Sequence, residues 1–362
     1  MEEKRSARKR IVLTGGGTAG HVTPNIALMP ELKKRGYRVF YIGSYAGMEK
    51  DMIEATGTRY FGIATGKFRR YLDLKNLSDP FRVLKGLSEA KKYLKKIRPD
   101  VVFSKGGYVA VPVVLAAKRL GIPVVIHESD MTPGLANKLC IPSASRVCCN
   151  FPETVKLLPE GKAVLTGSPI RAELFAGDKE AGLAFCGLTS EKPVILVIGG
   201  SLGSVAVNKA VRAVLPQLLE DFQVIHLCGK GNLAPELEGR PGYAQYEFIS
   251  EQLPDLMAAA DLMISRAGAN AICEILALHK PNILIPLPAA ASRGDQLDNA
   301  ESFRKQGFSY VLQEEEITPE VLLTAVKDVY DDRAEYTAAM AGAGQTDSIR
   351  IIADLLDQCV GR

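Results

Sequence analysis

Short apolar runs alternate with amphipathic stretches along the chain, and the alternation repeats in two halves. The first half carries runs at Arg10–Thr14, Arg38–Ile42, Val101–Phe103, Val124–Ile126, Val147–Cys149 and Ala163–Leu165. The second carries them at Val194–Ile198, Gln223–Leu227, Tyr246–Ile249, Leu262–Ile264, Asn282–Ile285 and Tyr310–Leu312. Apolar strands of this kind belong to a parallel sheet covered by helices on both faces. Each half opens with a strand and a glycine-rich turn, Gly15–Gly20 in one and Gly199–Gly203 in the other. The pattern predicts an α/β protein of two doubly wound, Rossmann-like domains facing each other. A length of 362 residues suits two such domains at about 150 residues each. The boundary is expected at Gly167-Ser-Pro-Ile170, giving domains over residues 1–166 and 167–344. The last helix, within 345–362, follows a glycine-rich break and is expected to pack back on the first domain.

Composition narrows the class. The chain is 47% hydrophobic and 24% charged, the mixture of an ordinary globular protein, which excludes wholesale disorder. No window approaches 18 consecutive apolar residues, so no transmembrane helix is expected. The charged start, Met1–Arg10, is not followed by an apolar stretch of signal-peptide length, which argues against secretion. Seven cysteines without C-x-x-C spacing fit reduced, buried thiols in a cytosolic protein. Cys148 and Cys149, adjacent on a strand, should point to opposite faces and serve packing.

Charge adds more. The net charge of +4 conceals a split: residues 1–165 hold 29 Lys and Arg against 14 Asp and Glu, and the remainder holds 16 against 27. A basic half suits a polyanion, whether nucleic acid, an anionic membrane surface or a phosphorylated substrate. Lys67–Arg98 holds 11 basic and 3 acidic residues, interleaved with apolar and aromatic side chains. In Lys67–Lys85, broken by Asp79-Pro80, the basic residues Arg69 and Arg70 stand among Phe68, Tyr71 and Phe81, a composition suited to an anionic bilayer. Ser88–Ile97 reads instead as a surface helix whose apolar stripe packs inward.

Gly15, Gly17 and Gly20 satisfy the dinucleotide fingerprint G-x-G-x-x-G. The second strand, however, ends Tyr41-Ile-Gly-Ser44 without the carboxylate that a nicotinamide cofactor requires. His21 follows the loop directly, with Pro24 near a first helical turn, and a neutral imidazole there can act as general base. His127, Glu128 and Asp130 stand at another strand end, suited to acid/base work or to binding hydroxyls. Alternatively the cluster caps the next helix, with Asp130 or Thr132 as N-cap and Pro133 at the first position. Lys105, Gly106, Gly107 and Tyr108 form a further donor-rich loop.

In the second half, Ser265–Glu274 runs from a strand into a helix whose free N–H groups favour a diphosphate. Glu274, a turn inside, can accept both hydroxyls of a ribose. Flanked by apolar residues, it calls for a partner, either Arg266 or a ligand. Gln296 and Asn299, beyond a Pro-rich loop, suit sugar hydroxyls. No D-x-D sequence occurs, so no metal clamp is indicated and no metal ligand set is assigned.

Taken in order, Gly15–Pro24, Gly106–Tyr108, His127-Glu128 with Pro133–Asn137, Gly167–Arg171, Gly199–Gly203, Ser265–Gly268 with Glu274, and Gln296 with Asn299-Ala300 resemble the MurG family of UDP-N-acetylglucosamine transferases. The match runs from about Ile11 to Asp357. It implies a GT-B fold, with the acceptor held by the first domain and the UDP-sugar mainly by the second. The implied reaction is inverting transfer of GlcNAc from UDP-GlcNAc to the 4-hydroxyl of undecaprenyl-linked lipid I, with no cofactor. It implies Glu274 on the uridine ribose, Ser201 and the Ala269–Cys273 turn, including Asn270, on the diphosphate, and Ile249 backbone groups on the uracil. Arg171 should lie by the nucleotide, and Gln296 and Asn299 by the GlcNAc hydroxyls. Thr18, Ala19 and Gly20 should face the reacting diphosphates, with His21 the candidate base and Glu128 the second candidate. Implied partners are UDP-GlcNAc, lipid I and the anionic cytoplasmic face of the cell membrane, held peripherally, and not nucleic acid.

Four positions depart from the family pattern. Ala19 replaces a usual Gly, Asp130 an Asn that contacts the donor sugar, Leu202 a Gln, and Asp295 a His or Gln. Two other functions stay open on sequence: a different GT-B lipid transferase, such as one glucosylating diacylglycerol, or a non-catalytic nucleotide-sugar-binding protein. A Rossmann dehydrogenase ranks third.

Overall fold

The computed structural model describes residues 9–66, 79–200, 203–291, 294–343 and 347–361. The chain divides into two units, one of Met1–Arg171 with Asp347–Arg362 and one of Ala172–Thr346. Among the described residues, the N-terminal unit holds seven strands: β1 Arg10–Thr14, β2 Arg38–Ser44, β3 Arg59–Ile63, β4 Val101–Ser104, β5 Val124–Glu128, β6 Arg146–Cys149 and β7 Ala163–Leu165. They pair in parallel in the order β3-β2-β1-β4-β5-β6-β7. The C-terminal unit holds β8 Val194–Ile198, β9 Gln223–Leu227, β10 Tyr243–Tyr246, β11 Leu262–Ser265, β12 Asn282–Leu284 and β13 Tyr310–Val311, in the order β10-β9-β8-β11-β12-β13. In each sheet the strand order reverses between the first strand and its fourth, β1 with β4 and β8 with β11. That reversal opens a crevice above the strand ends where doubly wound folds bind ligands.

The two-residue period of a strand sorts the N-terminal core into two layers. Ile11 and Leu13 of β1 pack with Leu28 and Leu32 of the helix Thr23–Lys34 and with Ile352 and Leu356 of the last helix, Ser348–Val360. Val12 faces the other way, toward Ala90 and Leu94 of the helix Asp79–Ile97 and toward Val113 and Val114. Cys148 belongs to the first layer and Cys149 to the second, opposite faces as expected. Burying each such Leu or Ile contributes about 1.5–3 kcal/mol relative to exposure. The last helix is also tied by charge: Asp357 pairs with Lys9 at 2.7 Å and with Arg35 at 3.0 Å, and accepts the Tyr37 hydroxyl at 2.9 Å.

Three local expectations require correction. Strand β3 is absent from the apolar pattern because Arg59 and Gly62 interrupt an edge strand that is mostly half-buried. Strand β10 spans Tyr243–Tyr246, so Ile249 lies beyond it in a loop. The helix after β5 begins at Leu135 with Gly134 as N-cap, so neither Asp130 nor Thr132 caps it. Of the basic stretch, the part read as a surface helix with an inward apolar stripe is one. In Asp79–Ile97, Ala90, Leu94 and Ile97 are buried and Lys91, Lys92, Lys95 and Lys96 exposed. Phe68, Arg69, Arg70 and Tyr71 lie outside the described residues, as does the side chain of Phe81. Among the described residues, no helix is long and apolar enough to cross a membrane.

Candidate functional site

In the N-terminal unit, the loops after β1, β4 and β5 converge at the carboxyl end of the sheet. Gly17 adopts φ +87°, open to glycine at little cost, and a Cβ there would meet the Tyr108 ring at 2.5 Å. Gly107, at φ +79°, packs so closely that a Cβ would stand 2.3 Å from the Gly16 carbonyl oxygen. Below them Asn25 Nδ2 donates to the carbonyls of Thr14 at 3.3 Å and His21 at 3.2 Å, and the Tyr41 hydroxyl donates to Gly15 O at 2.9 Å. His21 is half-buried, and its Nδ1 lies 3.0 Å from Thr18 Oγ1. Thr18 is exposed, while Ala19 and Gly20 are half-buried.

Lys105, 1% exposed, directly follows β4 and reaches under the loop after β5. Its Nζ donates to Ser129 Oγ and to His127 Nδ1, the latter at 3.0 Å. His127 Nε2 meets Gly167 O at 2.9 Å, a pairing that requires the Nε2–H tautomer. Burial, reinforced by the Lys105 charge, holds the His127 imidazole well below the usual histidine range. It is therefore neutral and structural at pH 7.

Glu128 is 4% exposed, and both of its oxygens are engaged. Oε1 accepts from the backbone N–H groups of Ser129 at 2.8 Å and Asp130 at 3.0 Å. Oε2 accepts from Gly134 N at 3.1 Å and Asn137 Nδ2 at 2.8 Å. Burial raises the Glu128 carboxyl, and the neighbouring Asp130 charge adds to the rise. Asp130 itself stays half-buried on the loop that Glu128 organises. Sequence reasoning missed Glu49, whose fully buried carboxylate reaches the Gly15–Gly17 turn from the helix Met48–Glu54. The clue was available: an acidic residue one turn beyond the end of β2. Arg171, half-buried, closes this unit.

In the C-terminal unit a cavity of about 750 Å³ lies above β8 and β11, lined by Gly199, Gly203, Lys209, Arg266, Gln296 and others. Gly203, at φ +76°, lies against β9, where a Cβ would stand 2.0 Å from Cys228 O. Ser201 and Leu202 lie outside the described residues. The helix Ala269–Ala277 has as its N-cap Gly268, which has no side chain to cap it. Ala269 is buried, and Asn270 and Glu274 are half-buried on this helix.

Arg266 does not pair with Glu274. Its guanidinium binds Glu314, Ser204 Oγ at 2.6 Å, Ile285 O at 3.0 Å and Pro286 O at 3.2 Å. One buried side chain thus joins the end of β11, the start of the helix Val205–Ala213, the exit of β12 and an acidic residue 48 positions on. Gln296 Oε1 accepts Leu287 N at 3.1 Å, and Asn299, fully buried, donates to Ala267 O at 3.3 Å. Ile249 is half-buried after β10. Beneath the glycine loop, His226 spans Tyr243 Oη at 3.1 Å and Asn208 Oδ1 at 2.9 Å, and Asn208 Nδ2 donates to Cys228 O at 2.9 Å. Among the described residues, no group of three or more His, Cys, Asp or Glu side chains is placed to hold a metal ion.

Comparison with known proteins supplies the family. Residues 11–149 match the glycosyltransferase family 28 N-terminal domain, and residues 194–356 match its C-terminal domain. A protein of Lachnospira eligens named UDP-N-acetylglucosamine--N-acetylmuramyl-(pentapeptide) pyrophosphoryl-undecaprenol N-acetylglucosamine transferase is 64% identical over 348 residues, covering 96% of this chain and 98% of that one. Its namesake in Lachnoclostridium phytofermentans is 63% identical, covering 97% of this chain and 99% of its own length. The crystal structure of MurG from Acinetobacter baumannii superposes with a TM-score of 0.77 at 28% identity, over 97% of this chain and 99% of that one. The calicheamicin glycosyltransferase CalG4, at 16% identity and a TM-score of 0.72 over 98% of this chain and 99% of its own, shares the fold. With its two parallel-sheet units in a two-domain GT-B fold, the chain belongs to the MurG family of glycosyltransferases.

Proposed function

We propose that this chain moves N-acetylglucosamine from UDP-GlcNAc to the muramoyl 4-hydroxyl of undecaprenyl-diphospho-N-acetylmuramoyl-pentapeptide, the step from lipid I to lipid II in peptidoglycan synthesis. The observation that carries this reading is the 64% identity to the Lachnospira eligens transferase across 98% of that protein's length.

The donor belongs mainly to the C-terminal unit. The start of the helix Ala269–Ala277, with Gly268 as N-cap, offers backbone N–H groups and a positive dipole end to the diphosphate, with Ser201 and Asn270 beside it. Glu274 accepts the ribose hydroxyls, Ile249 backbone groups hold the uracil, and Arg171 adds positive charge at the nucleotide. Gln296 and Asp130 take the GlcNAc hydroxyls. Asn299 acts through Ala267, whose carbonyl it holds. The acceptor belongs to the N-terminal unit, with its diphosphate at Thr18–Gly20 and its sugar beside Lys105–Tyr108. Phe68, Arg69, Arg70, Tyr71 and Phe81 seat the enzyme peripherally on the anionic cytoplasmic membrane face.

The acceptor oxygen forms a bond to C1 of GlcNAc as the bond from C1 to the phosphate oxygen breaks. UDP leaves with the electron pair, and the anomeric configuration inverts. His21 takes the hydroxyl proton at Nε2, which requires its Nδ1–H to donate to Thr18 Oγ1. Glu128 organises the loop rather than acting as base, because four donors already occupy its oxygens. Backbone donors aimed at the leaving diphosphate stabilise its developing charge.

The test is a donor and acceptor screen with the parent and His21→Ala. The expected result is transfer from UDP-GlcNAc to a diphosphate-linked muramoyl acceptor, lost in His21→Ala with UDP affinity kept. Transfer from UDP-glucose to diacylglycerol, with none from UDP-GlcNAc, would overturn the function. Undiminished turnover by His21→Ala would overturn the base.

A further inference from the structure

Glu49 is a buried carboxylate held by hydrogen bonds. Its side chain is fully buried, and among the described residues no Lys, Arg or His pairs with it. A buried anion is tolerated only where hydrogen bonds replace its lost hydration. Here Oε1 accepts Ser44 N at 3.1 Å and the Ser44 hydroxyl, and Oε2 accepts Gly17 N at 3.4 Å. The surrounding backbone has made room for it. A Cβ at Gly16 would stand 2.7–3.0 Å from the carboxylate atoms, and one at Gly47 2.2–2.4 Å. Two glycines from separate segments therefore close on one carboxylate, which among the described residues joins the end of β2 to the Gly15–Gly17 turn.

We propose that Glu49 is a positioning residue for the transfer: its carboxylate clamps the Gly15–Gly17 turn to the end of β2 and so fixes the loop that receives the acceptor's diphosphate. This rests on the reading that Thr18–Gly20 faces that diphosphate. The clamp acts at a distance from the reacting atoms. By engaging Gly17 N–H, Glu49 fixes the orientation of the Gly16–Gly17 peptide, one unit before the peptide that leads into Thr18, and Thr18 in turn holds His21. Gly17 also lies under the Tyr108 ring, so the clamp sets how the loops after β1 and β4 meet. Its charge opposes a phosphate in the same place, which makes its role one of geometry and not of attraction. A glutamine has the same shape but offers one acceptor oxygen where the site uses two, so Glu49→Gln must release Ser44 or Gly17.

The experiment uses the full chain with two soluble muramoyl acceptors, one carrying the diphosphate and one with a neutral linker in its place. In Glu49→Gln, kcat/KM is expected to fall at least tenfold for the diphosphate acceptor and less than threefold for the neutral one. The KM for UDP-GlcNAc should stay within twofold of the parent. Ser44→Ala, which removes one of the three hydrogen bonds, should shift the same ratio about threefold and decides the matter if Glu49→Gln does not fold. An equal fall on both acceptors would mark a general structural role and overturn the proposal, as would an unchanged diphosphate acceptor. If the parent itself shows no preference for the diphosphate acceptor, the reading of the Thr18–Gly20 loop fails and this proposal with it. A parent preference that survives both substitutions overturns the clamp alone.

Discussion

Replacing Glu128 by glutamine separates a loop-organising carboxylate from a catalytic base. Four donors converge on the two oxygens, at 2.8, 3.0, 3.1 and 2.8 Å. A glutamine oxygen can keep two of them, while its NH₂ group, a donor, faces the other two. Hydrogen bonds to a charged group contribute about 1.5–3 kcal/mol each, so losing two costs about 3–6 kcal/mol. Part is returned, because burial already disfavours the ionised carboxylate and raises its pKa. The net expectation is a loss of about 2–4 kcal/mol in the N-terminal unit, or roughly 5–15 °C in Tm for a unit of this size. Thermal unfolding and hydrogen exchange at residues 129–137 measure it, and turnover is followed in parallel. The expected variant is destabilised, exchanges faster through that loop, and loses turnover in proportion to the loop's disorder. A fall in kcat of a thousandfold or more, with unfolding and exchange unchanged, would refute this reasoning and make Glu128 the base.

Three further outcomes follow. Burial and the Arg212 charge push His226 down to about 3, whereas an unfolded histidine titrates near 6.5. The unfolded chain therefore binds a proton that the folded unit refuses, and stability falls as pH drops from about 6.5 toward 3, by up to about 1.4 kcal/mol per pH unit. Denaturant midpoints at pH 6.5 and 4.5 should differ less in His226→Gln, by about 2 kcal/mol, and an equal acid loss in variant and parent would contradict this. Arg266→Lys cannot span Ser204, Ile285 O, Pro286 O and Glu314 together, so the KM for UDP-GlcNAc should rise about tenfold with the acceptor KM unchanged, read from initial rates. Replacing Phe68, Tyr71 and Phe81 by serine should weaken co-sedimentation with anionic vesicles while sparing turnover on soluble acceptors. Equal vesicle binding by variant and parent would remove the membrane role.

Most of the fold was legible because parallel strands buried on both faces leave apolar runs, and a glycine-rich turn marks the first strand of each unit. What escaped was set by tertiary partners. Edge strand β3 contains Arg59 and Gly62 and owes its pairing to β2, not to its own pattern. Strand β10 hides a polar side chain, Gln245, whose Nε2 bonds the Ala234 carbonyl at 2.7 Å, so its hydrophobicity understates its order. In the site, the residue types and the loops that carry them were readable, but the pairings were not. Arg266 pairs with Glu314 and not with Glu274, which is nearer in sequence, and Glu128 accepts from three backbone N–H groups and Asn137, because each choice depends on which loops meet above the sheets. Glu49 went unread since its burial is created by two glycines distant from each other in sequence.

The most direct test of the donor site is the structure of the complex with UDP-GlcNAc. The account predicts the Glu274 carboxylate on both uridine ribose hydroxyls and the diphosphate at the start of the helix Ala269–Ala277. A complex with Glu274 turned away from the ribose, or with the nucleotide seated on the Gly15–Gly20 loop instead, would contradict it.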